Sequence, residues 1–221
     1  MGHCPQRLGR PAGQNRSRDR SRIPLREEDL DDDPLRQFTS WFGEAGAADV
    51  REPDAAALAT ASADGVPSVR MVLVRSFDER GFVFFSHYDS RKGCEIAANP
   101  RAALLFHWDP LGRQVRIEGP IDHTSAEESA AYIRSRPRSS QLSALASPQS
   151  QTVESREELE RRVRDLERRY AHRELPMPSS WGGFRLTAET LEFWQQRHDR
   201  LHDRLRYRRD GDRWLIERLA P

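Results

Sequence analysis

The pattern of apolar and polar positions changes near residue 56, from a helical period to that of strands. Leu35, Phe38 and Trp41 are spaced three residues apart and follow Asp33 and Pro34, which suit the N-cap and the first position of a helix. From residue 56 onward, short runs rich in β-branched and aromatic residues alternate with turns that contain glycine or aspartate, as in antiparallel hairpins. The pattern predicts a packing helix followed by a meander of strands.

Capping motifs place three further helices among these strands. Residues 90–99 read as a short helix that ends before Pro100, and capping boxes at residues 125–128 and 155–158 begin two others, the first of which ends at Pro137. Strands are expected at residues 57–62, 67–77, 82–87, 102–108, 114–121, 181–186, 190–195 and 213–219. We therefore expect an α+β fold, mainly antiparallel β, with the strands in a closed or nearly closed barrel.

One more segment, EFWQQRHDRLHDRLRYR at residues 192–208, has two interpretations. Arg200, His202 and Arg204 occupy alternate positions with leucines between them. In a strand they would line one side, roughly 7 Å apart, and form a surface suited to an anion. In a solvated helix the same side chains would point in different directions. The aromatic start of the segment and the turn at residues 210–212 favour the strand.

Composition and charge limit the classes of function. The chain has 221 residues and a net charge of +1, which gives no reason to expect a nucleic acid partner. It contains no run of eighteen apolar residues and no N-terminal apolar signal, so we expect no membrane association and a cytoplasmic protein. Its two cysteines make neither a disulfide framework nor a metal site. Lys92 is the only lysine among 36 basic residues.

Residues 1–24 differ from the rest of the chain and are expected to form a disordered, arginine-rich arm before one domain at residues 25–221. They contain six arginines, one acidic residue and no aromatic residue. An RNA-binding tail is one interpretation, and a flexible segment or a misassigned start of the chain is the other. The lack of aromatic side chains for base stacking favours the second.

Three groups of residues are suited to phosphate. They are Arg70 and Arg75 on one strand, the segment Ser90, Arg91 and Lys92 at a helix start, and residues 134–141 with sequence RSRPRSSQ. A helix N-terminus offers free N–H groups, and arginine adds paired hydrogen bonds to phosphate oxygens. For any single group an exposed basic turn is the simpler explanation, but together they suggest two phosphorylated ligands. No nucleotide-binding loop, hydrolase triad or metal motif is evident.

In order along the chain, the motifs from about residue 30 to the C-terminus resemble those of the pyridoxine (pyridoxamine) 5′-phosphate oxidases. The matching stretches are RMVLVR (70–75), FFSHYDSRKG (84–93), GRQVRIEG (112–119), SRPRSSQ (135–141), ASPQSQ (146–151), WGGFRL (181–186), EFWQ (192–195) and RLHDRLRY (200–207). The resemblance implies a split β-barrel with peripheral helices, acting as a homodimer that binds flavin mononucleotide (FMN) at the subunit interface.

The resemblance also implies a role for each matched residue. FMN would be held by Arg70, Met71, Val72, Leu73, Val74, Arg75, Phe85, Ser86, Arg91, Lys92, Gln114, Gln149, Ser150, Trp194 and Arg204. The substrate would be held by Arg75, Tyr132, Arg136, Ser140, Arg200, Leu201 and His202, with Arg200 and His202 positioning its pyridine ring.

The reaction implied is oxidation of pyridoxamine 5′-phosphate or pyridoxine 5′-phosphate to pyridoxal 5′-phosphate. A hydride passes from the substrate C4′ to the flavin, and O2 reoxidises the flavin to give hydrogen peroxide. Since the cofactor carries the redox chemistry, we expect no indispensable acid or base among the side chains. The chain departs from the family pattern at Arg75, usually lysine, at Leu145, often tryptophan, at Gln196, often glycine, and in its N-terminal arm.

Two other functions are compatible with the same motifs. A related branch of the fold oxidises tricyclic intermediates in phenazine biosynthesis, although the segment 135–151 follows the pyridoxamine-phosphate pattern more closely. A non-catalytic carrier of FMN or pyridoxal phosphate would keep the barrel and lose turnover. The altered arm and Arg75 favour a carrier, whereas the intact Arg200, Leu201 and His202 favour an enzyme.

Overall fold

The computed structural model describes residues 24–221, so the arm predicted for residues 1–24 lies outside the described residues except for Pro24. The described part contains five helices, Pro34–Ala47 (α1), Arg91–Ala98 (α2), Ala126–Ser135 (α3), Arg138–Ala146 (α4) and Arg156–Arg169 (α5). Its ten strands are Ala55–Ala61 (β1), Pro67–Leu73 (β2), Ser76–Asp78 (β3), Gly81–His87 (β4), Arg101–Trp108 (β5), Arg113–His123 (β6), Trp181–Leu186 (β7), Thr190–Gln195 (β8), Asp203–Asp210 (β9) and Arg213–Arg218 (β10).

Local capping explains where the helices begin. The Asp33 carboxylate accepts the N–H of Leu35 before α1, and the hydroxyls of Ser90, Ser125 and Ser155 do the same for the first turns of α2, α3 and α5. Each of these starts was predicted. Helix α4 was not, because Pro137 looked like a stop; it ends α3 and also occupies the N-cap of α4.

All strand pairs are antiparallel, and β6 joins the two parts of the sheet. The main order is β10-β9-β8-β6-β5-β1-β2, while β4 pairs with β3 and β7. The first part of β6 pairs with β8, and its last residues, 121–123, pair with β7. This change of partner curls the sheet into a half-barrel with helices outside it, which confirms the α+β, mainly antiparallel fold predicted from the sequence.

The core is aromatic and anchors α1 against the barrel. Phe38 of α1 is fully buried and meets Phe77, Phe82 and Phe106 edge to face at centroid distances of 4.9, 5.0 and 5.1 Å. Burying one such ring contributes roughly 1.5–3 kcal/mol. Helix α1 is therefore packed closely against β3, β4 and β5 of the barrel.

Helices α3, α4 and α5 form one excursion between β6 and β7. Its two ends meet, because the Thr124 N–H donates to the Gly183 carbonyl at 2.9 Å. Beside this bond, His123 pairs with Phe184 in the β6–β7 ladder. The helices are thus added at one point of the sheet and leave the strand order intact.

Two strand predictions need correction. The run 67–77 is broken after Leu73, where Val74 turns into the core and donates its N–H to the Asp54 carbonyl. The strand proposed to carry Arg200, His202 and Arg204 on one face was wrong for its first part, since β8 ends at Gln195 and β9 begins at Asp203.

The loop before β9 has its own hydrogen bonds, which explain this difference. The Arg197 N–H donates to His202 Nδ1 at 3.0 Å, and the Leu201 N–H donates to Asp199 Oδ1 at 3.1 Å. Arg200 has a φ of +63°, a left-handed conformation that breaks the alternation of a strand. Only Arg204 of the three predicted side chains lies on the strand.

Candidate functional site

A cavity of about 700 Å³ lies between β2, β4, the start of α2 and the α3–α4 region. Most of the predicted ligand-binding residues line it: Arg70, Met71, Val72, Leu73, Arg75, Phe85, Ser86, Arg91, Lys92, Tyr132, Arg136, Ser140, Gln149 and Ser150. Val74 does not, because its side chain is buried in the core. The three phosphate-suited groups of the sequence thus converge on one cavity.

The charge of the lining is one-sided. Among the described residues that line the cavity, five are arginine or lysine and none is aspartate or glutamate. Arg75 makes an ion pair with Asp54 at 2.9 Å, but Asp54 itself does not line the cavity. An excess of cations around a concave surface favours an anionic ligand, and arginine in particular favours phosphate.

Lys92 forms the buried centre of this cationic surface. Its ammonium donates to Ser86 Oγ at 2.8 Å, to Ser90 Oγ at 3.0 Å and to Gln149 Oε1 at 2.8 Å. The residue is only 8% exposed. Burial, together with the nearby Arg70 guanidinium, lowers the pKa of Lys92 to about 8. A bound anion would stabilise the charged form of Lys92.

A buried carboxylate, Glu95 of α2, lies behind the cationic surface. It accepts hydrogen bonds from Thr60 and Ser68 and contacts Arg91 and Arg70 at 2.9 and 3.2 Å. Burial alone would raise the pKa of Glu95, but these hydrogen bonds lower it to about 2. Sequence reasoning missed Glu95, since a glutamate in a short helix looks like an ordinary surface residue.

One wall of the cavity is a stack of aromatic rings. Phe85 lies 3.8 Å from Tyr132 and 5.6 Å from Trp181 between ring centroids, with each pair 15° from parallel. The Arg136 guanidinium lies 5.5 Å from the Trp181 ring. Trp181 and His87 also line the cavity; both belong to matched motifs, but neither was predicted to bind a ligand. Cations beside an aromatic wall suit a phosphorylated planar ring.

Apart from Val74, the predicted residues outside the cavity form a second group on β6, β8, β9 and the loop before β9. Gln114, Trp194 and Arg204 pair across β6, β8 and β9 as one row, and none of them lines the cavity. Glu192 holds Arg204 through two hydrogen bonds of 2.7 and 3.1 Å, which raise the pKa of Arg204. We call this set the cross-strand row.

The loop before β9 joins this second group. The His202 ring lies 4.6 Å from Trp194, and Leu201 is 67% exposed. Arg200, Leu201 and His202 also lie outside the cavity lining. Within one chain, the predicted site is therefore divided between the cavity and the cross-strand row.

Family comparisons agree with these features. A model described as pyridoxamine 5′-phosphate oxidase matches residues 42–195, and one described as the pyridoxine 5′-phosphate oxidase C-terminal dimerisation region matches residues 181–221. A pyridoxine/pyridoxamine 5′-phosphate oxidase of Rubrobacter xylanophilus is 56% identical over 92% of this chain and 94% of its own length. That of Salinibacter ruber is 50% identical, covering 91% and 95% respectively.

Two solved structures are also similar. PhzG from Burkholderia lata 383, solved in complex with tetrahydrophenazine-1-carboxylic acid, has a TM-score of 0.85 and 35% identity, covering 91% of this chain and all of that one. A pyridoxamine 5′-phosphate oxidase-related, FMN-binding protein from Nostoc punctiforme shares the fold at a TM-score of 0.66 and 16% identity, covering 87% and 100%. No helix in the described region is long and apolar enough to cross a membrane.

Proposed function

The chain belongs to the pyridoxamine 5′-phosphate oxidase family, and on that premise we propose that it oxidises pyridoxamine 5′-phosphate and pyridoxine 5′-phosphate to pyridoxal 5′-phosphate. FMN is the proposed cofactor and O2 the proposed acceptor. The observation that carries the proposal is the cavity, whose described lining residues include five cations and no carboxylate beside an aromatic wall. Such a surface suits ligands that combine phosphate with a planar ring.

The residues present fit FMN. Lys92 is a buried cation that donates to two hydroxyls and an amide oxygen rather than to a carboxylate, and Arg70 and Arg91 flank it in the lining. These three would hold the cofactor phosphate, while the backbone of β2 and the side chains of Gln149 and Ser150 would contact the rest. When bound, FMN supplies the redox chemistry, taking electrons from the substrate and passing them to oxygen.

The substrate would be held by a different part of the cavity. Arg75, Arg136 and Ser140 are the proposed phosphate ligands, with Tyr132 in the aromatic wall beside them. Because His202 Nδ1 accepts the Arg197 N–H, the ring proton is carried by Nε2, which is therefore a hydrogen-bond donor. We assign Arg200 and His202 to positioning of the substrate ring.

Assembly as a homodimer would complete the site. The C-terminal residues match the family's dimerisation region, and the exposed edge strand β2 presents Val69 and Met71, which are 69% and 65% exposed. Both residues line the rim of the cavity. We propose that the cross-strand row of one subunit faces the cavity of its partner, so that Gln114, Trp194 and Arg204 reach the flavin from the second chain.

A phenazine-type oxidase is the second candidate, because PhzG has the higher TM-score of the two solved structures described above. The curated relatives at 50–56% identity favour the pyridoxamine phosphate reaction instead. The purified protein is expected to show a flavin spectrum. Adding pyridoxamine 5′-phosphate under air should yield aldehyde and peroxide. Flavin without either product would reject this activity and favour the carrier or the phenazine-type oxidase.

The interface arrangement has its own test. Arg91→Ala impairs the cavity, and Arg204→Ala impairs the cross-strand row. Each variant dimer should lose activity, but a mixed dimer has one site with both halves intact. Random reassortment should therefore restore about a quarter of the wild-type activity, since half of the dimers are mixed and each has one intact site of two. No recovery after verified exchange of subunits would place the site within one chain.

A further inference from the structure

Glu95 holds two arginines of the cavity without lining the cavity itself. Its carboxylate lies between α2 and strands β1 and β2, and the residue is 7% exposed. Oε1 accepts from Arg91 Nε at 2.9 Å, and Oε2 lies 3.2 Å from Arg70. Thr60 and Ser68 donate their hydroxyls to the same Oε2. One acid therefore bridges two cations that the proposed function assigns to the flavin phosphate.

The two ion pairs orient the guanidiniums differently. Arg91 turns its Nε toward Glu95, which leaves both terminal nitrogens free for a ligand, although its side chain is 60% exposed. The Arg70 side chain is only 20% exposed, and its Nη1 donates to Thr60 while its Nη2 donates to Ser68 and Glu95. An exposed arginine has many rotamers of similar energy, so a fixed carboxylate reduces the entropy lost when phosphate binds.

Glu95 also separates like charges. Arg70, Arg91 and Lys92 line one wall of the cavity, and each repels the others before a ligand arrives. A carboxylate within 3.2 Å of two of them offsets this repulsion. Without it, Arg91 would turn toward solvent, where its charge is better hydrated, and the phosphate would have to bring it back.

We propose that Glu95 is a positioning residue that holds Arg70 and Arg91 in the orientation that binds the phosphate of FMN. The inference rests on the proposed function and adds a residue that does not touch the ligand. Glu95 is one negative charge near an anion site, so its removal has two opposing effects. Because Arg91 is largely exposed and loses its ion pair with the carboxylate, we expect the loss of orientation to exceed the relief of repulsion.

The test compares two ligands that share one ring system. FMN and riboflavin differ by the phosphate. Binding of either one to the ligand-free protein is followed by the change in flavin fluorescence. In Glu95→Gln the affinity for FMN should fall about tenfold or more, in line with a lost charged hydrogen bond, while the affinity for riboflavin stays within about twofold of wild type. Glu95→Asp, which keeps the charge, should recover part of the loss.

Glu158→Gln is the matched control, because Glu158 makes a similar pair four residues along a helix, with Arg162 of α5, and does not line the cavity. It should change neither affinity. A double-mutant cycle with Arg91→Ala should show that the two losses of FMN affinity are not additive.

Three results would overturn the inference: equal loss for FMN and riboflavin, unchanged or tighter FMN binding, or additive effects of Glu95→Gln and Arg91→Ala. If Glu95→Gln does not fold, the comparison is made with Glu95→Asp, for which a smaller loss of affinity is expected that is still confined to FMN. Failure of the wild-type protein to bind FMN would instead reject the proposed function. The two failures are therefore distinguishable.

Discussion

Replacing Lys92 with methionine is expected to stabilise the ligand-free protein while weakening its binding of FMN. Lys92 is only 8% exposed, and its hydrogen-bond partners are hydroxyls and an amide oxygen rather than a carboxylate. Desolvation of its charge therefore destabilises the folded state. Methionine has a similar length and no charge. The opposite signs of the two effects distinguish a binding residue from a structural one.

The size of the effect follows from the pKa of Lys92. The fall from 10.5 to about 8 corresponds to a destabilisation of about 3 kcal/mol at neutral pH, at about 1.4 kcal/mol per pH unit. The three lost hydrogen bonds offset part of this, leaving a net gain of roughly 1–2 kcal/mol in the free energy of unfolding. For a chain of this length the melting temperature should rise by about 3–6 °C.

The assay is thermal unfolding of ligand-free wild type, Lys92→Met and Lys92→Arg, followed by FMN titration. Loss of a charged hydrogen bond should weaken FMN binding by about 10- to 100-fold in Lys92→Met. Lys92→Arg keeps the charge and should keep most of the affinity without the gain in stability. A lower melting temperature in Lys92→Met, or unchanged FMN affinity, would refute the reasoning.

Three further predictions concern the same cavity. The affinity of the ligand-free protein for FMN should fall as pH rises above about 8, because Lys92 loses its proton there and a bound phosphate favours the charged form; a flat titration from pH 7 to 9 would contradict this, and Lys92→Arg is the control. Asp54→Asn removes the carboxylate paired with Arg75 at 2.9 Å, so the KM for the phosphorylated substrate should fall up to about fivefold; a higher KM would mean that Asp54 positions Arg75. Gly93→Ala would place a Cβ 2.0 Å from the Tyr88 carbonyl oxygen, so α2 must shift; we expect a lower melting temperature and weaker FMN binding, checked against the neighbouring Cys94→Ala.

Features encoded by neighbouring residues were predictable from the sequence. Asp33, Ser90, Ser125 and Ser155 begin helices by hydrogen bonds that span two or three residues, and alternation identified most strands. The same reasoning failed at Arg200, because a non-glycine residue in the left-handed region leaves no mark in the sequence. The start of α4 was also missed, since Pro137 both ends one helix and begins the next.

The arrangement of the site was less predictable than its members. Motif resemblance named most residues of the cavity, but it could not show that Gln114, Trp194 and Arg204 lie apart from it in the same chain. That separation depends on the curl of the sheet, which long-range pairing determines. Glu95 was missed for a similar reason: its partners Thr60 and Ser68 are 35 and 27 residues away, and nothing local indicates that it is buried.

The excursion between β6 and β7 gives the protein a modular character. Its ends are joined by one hydrogen bond between Thr124 and Gly183, so its length and sequence can change without altering the strand order. Tyr132, Arg136 and Ser140, proposed for the substrate, belong to it together with Gln149 and Ser150, proposed for FMN, whereas Arg70, Arg91 and Lys92 belong to the barrel and α2. Evolution can therefore vary the substrate-binding part of the excursion while the barrel and α2 retain the cations proposed for the cofactor phosphate, provided that Gln149 and Ser150 are kept, and a grafted excursion offers the same route to an engineer.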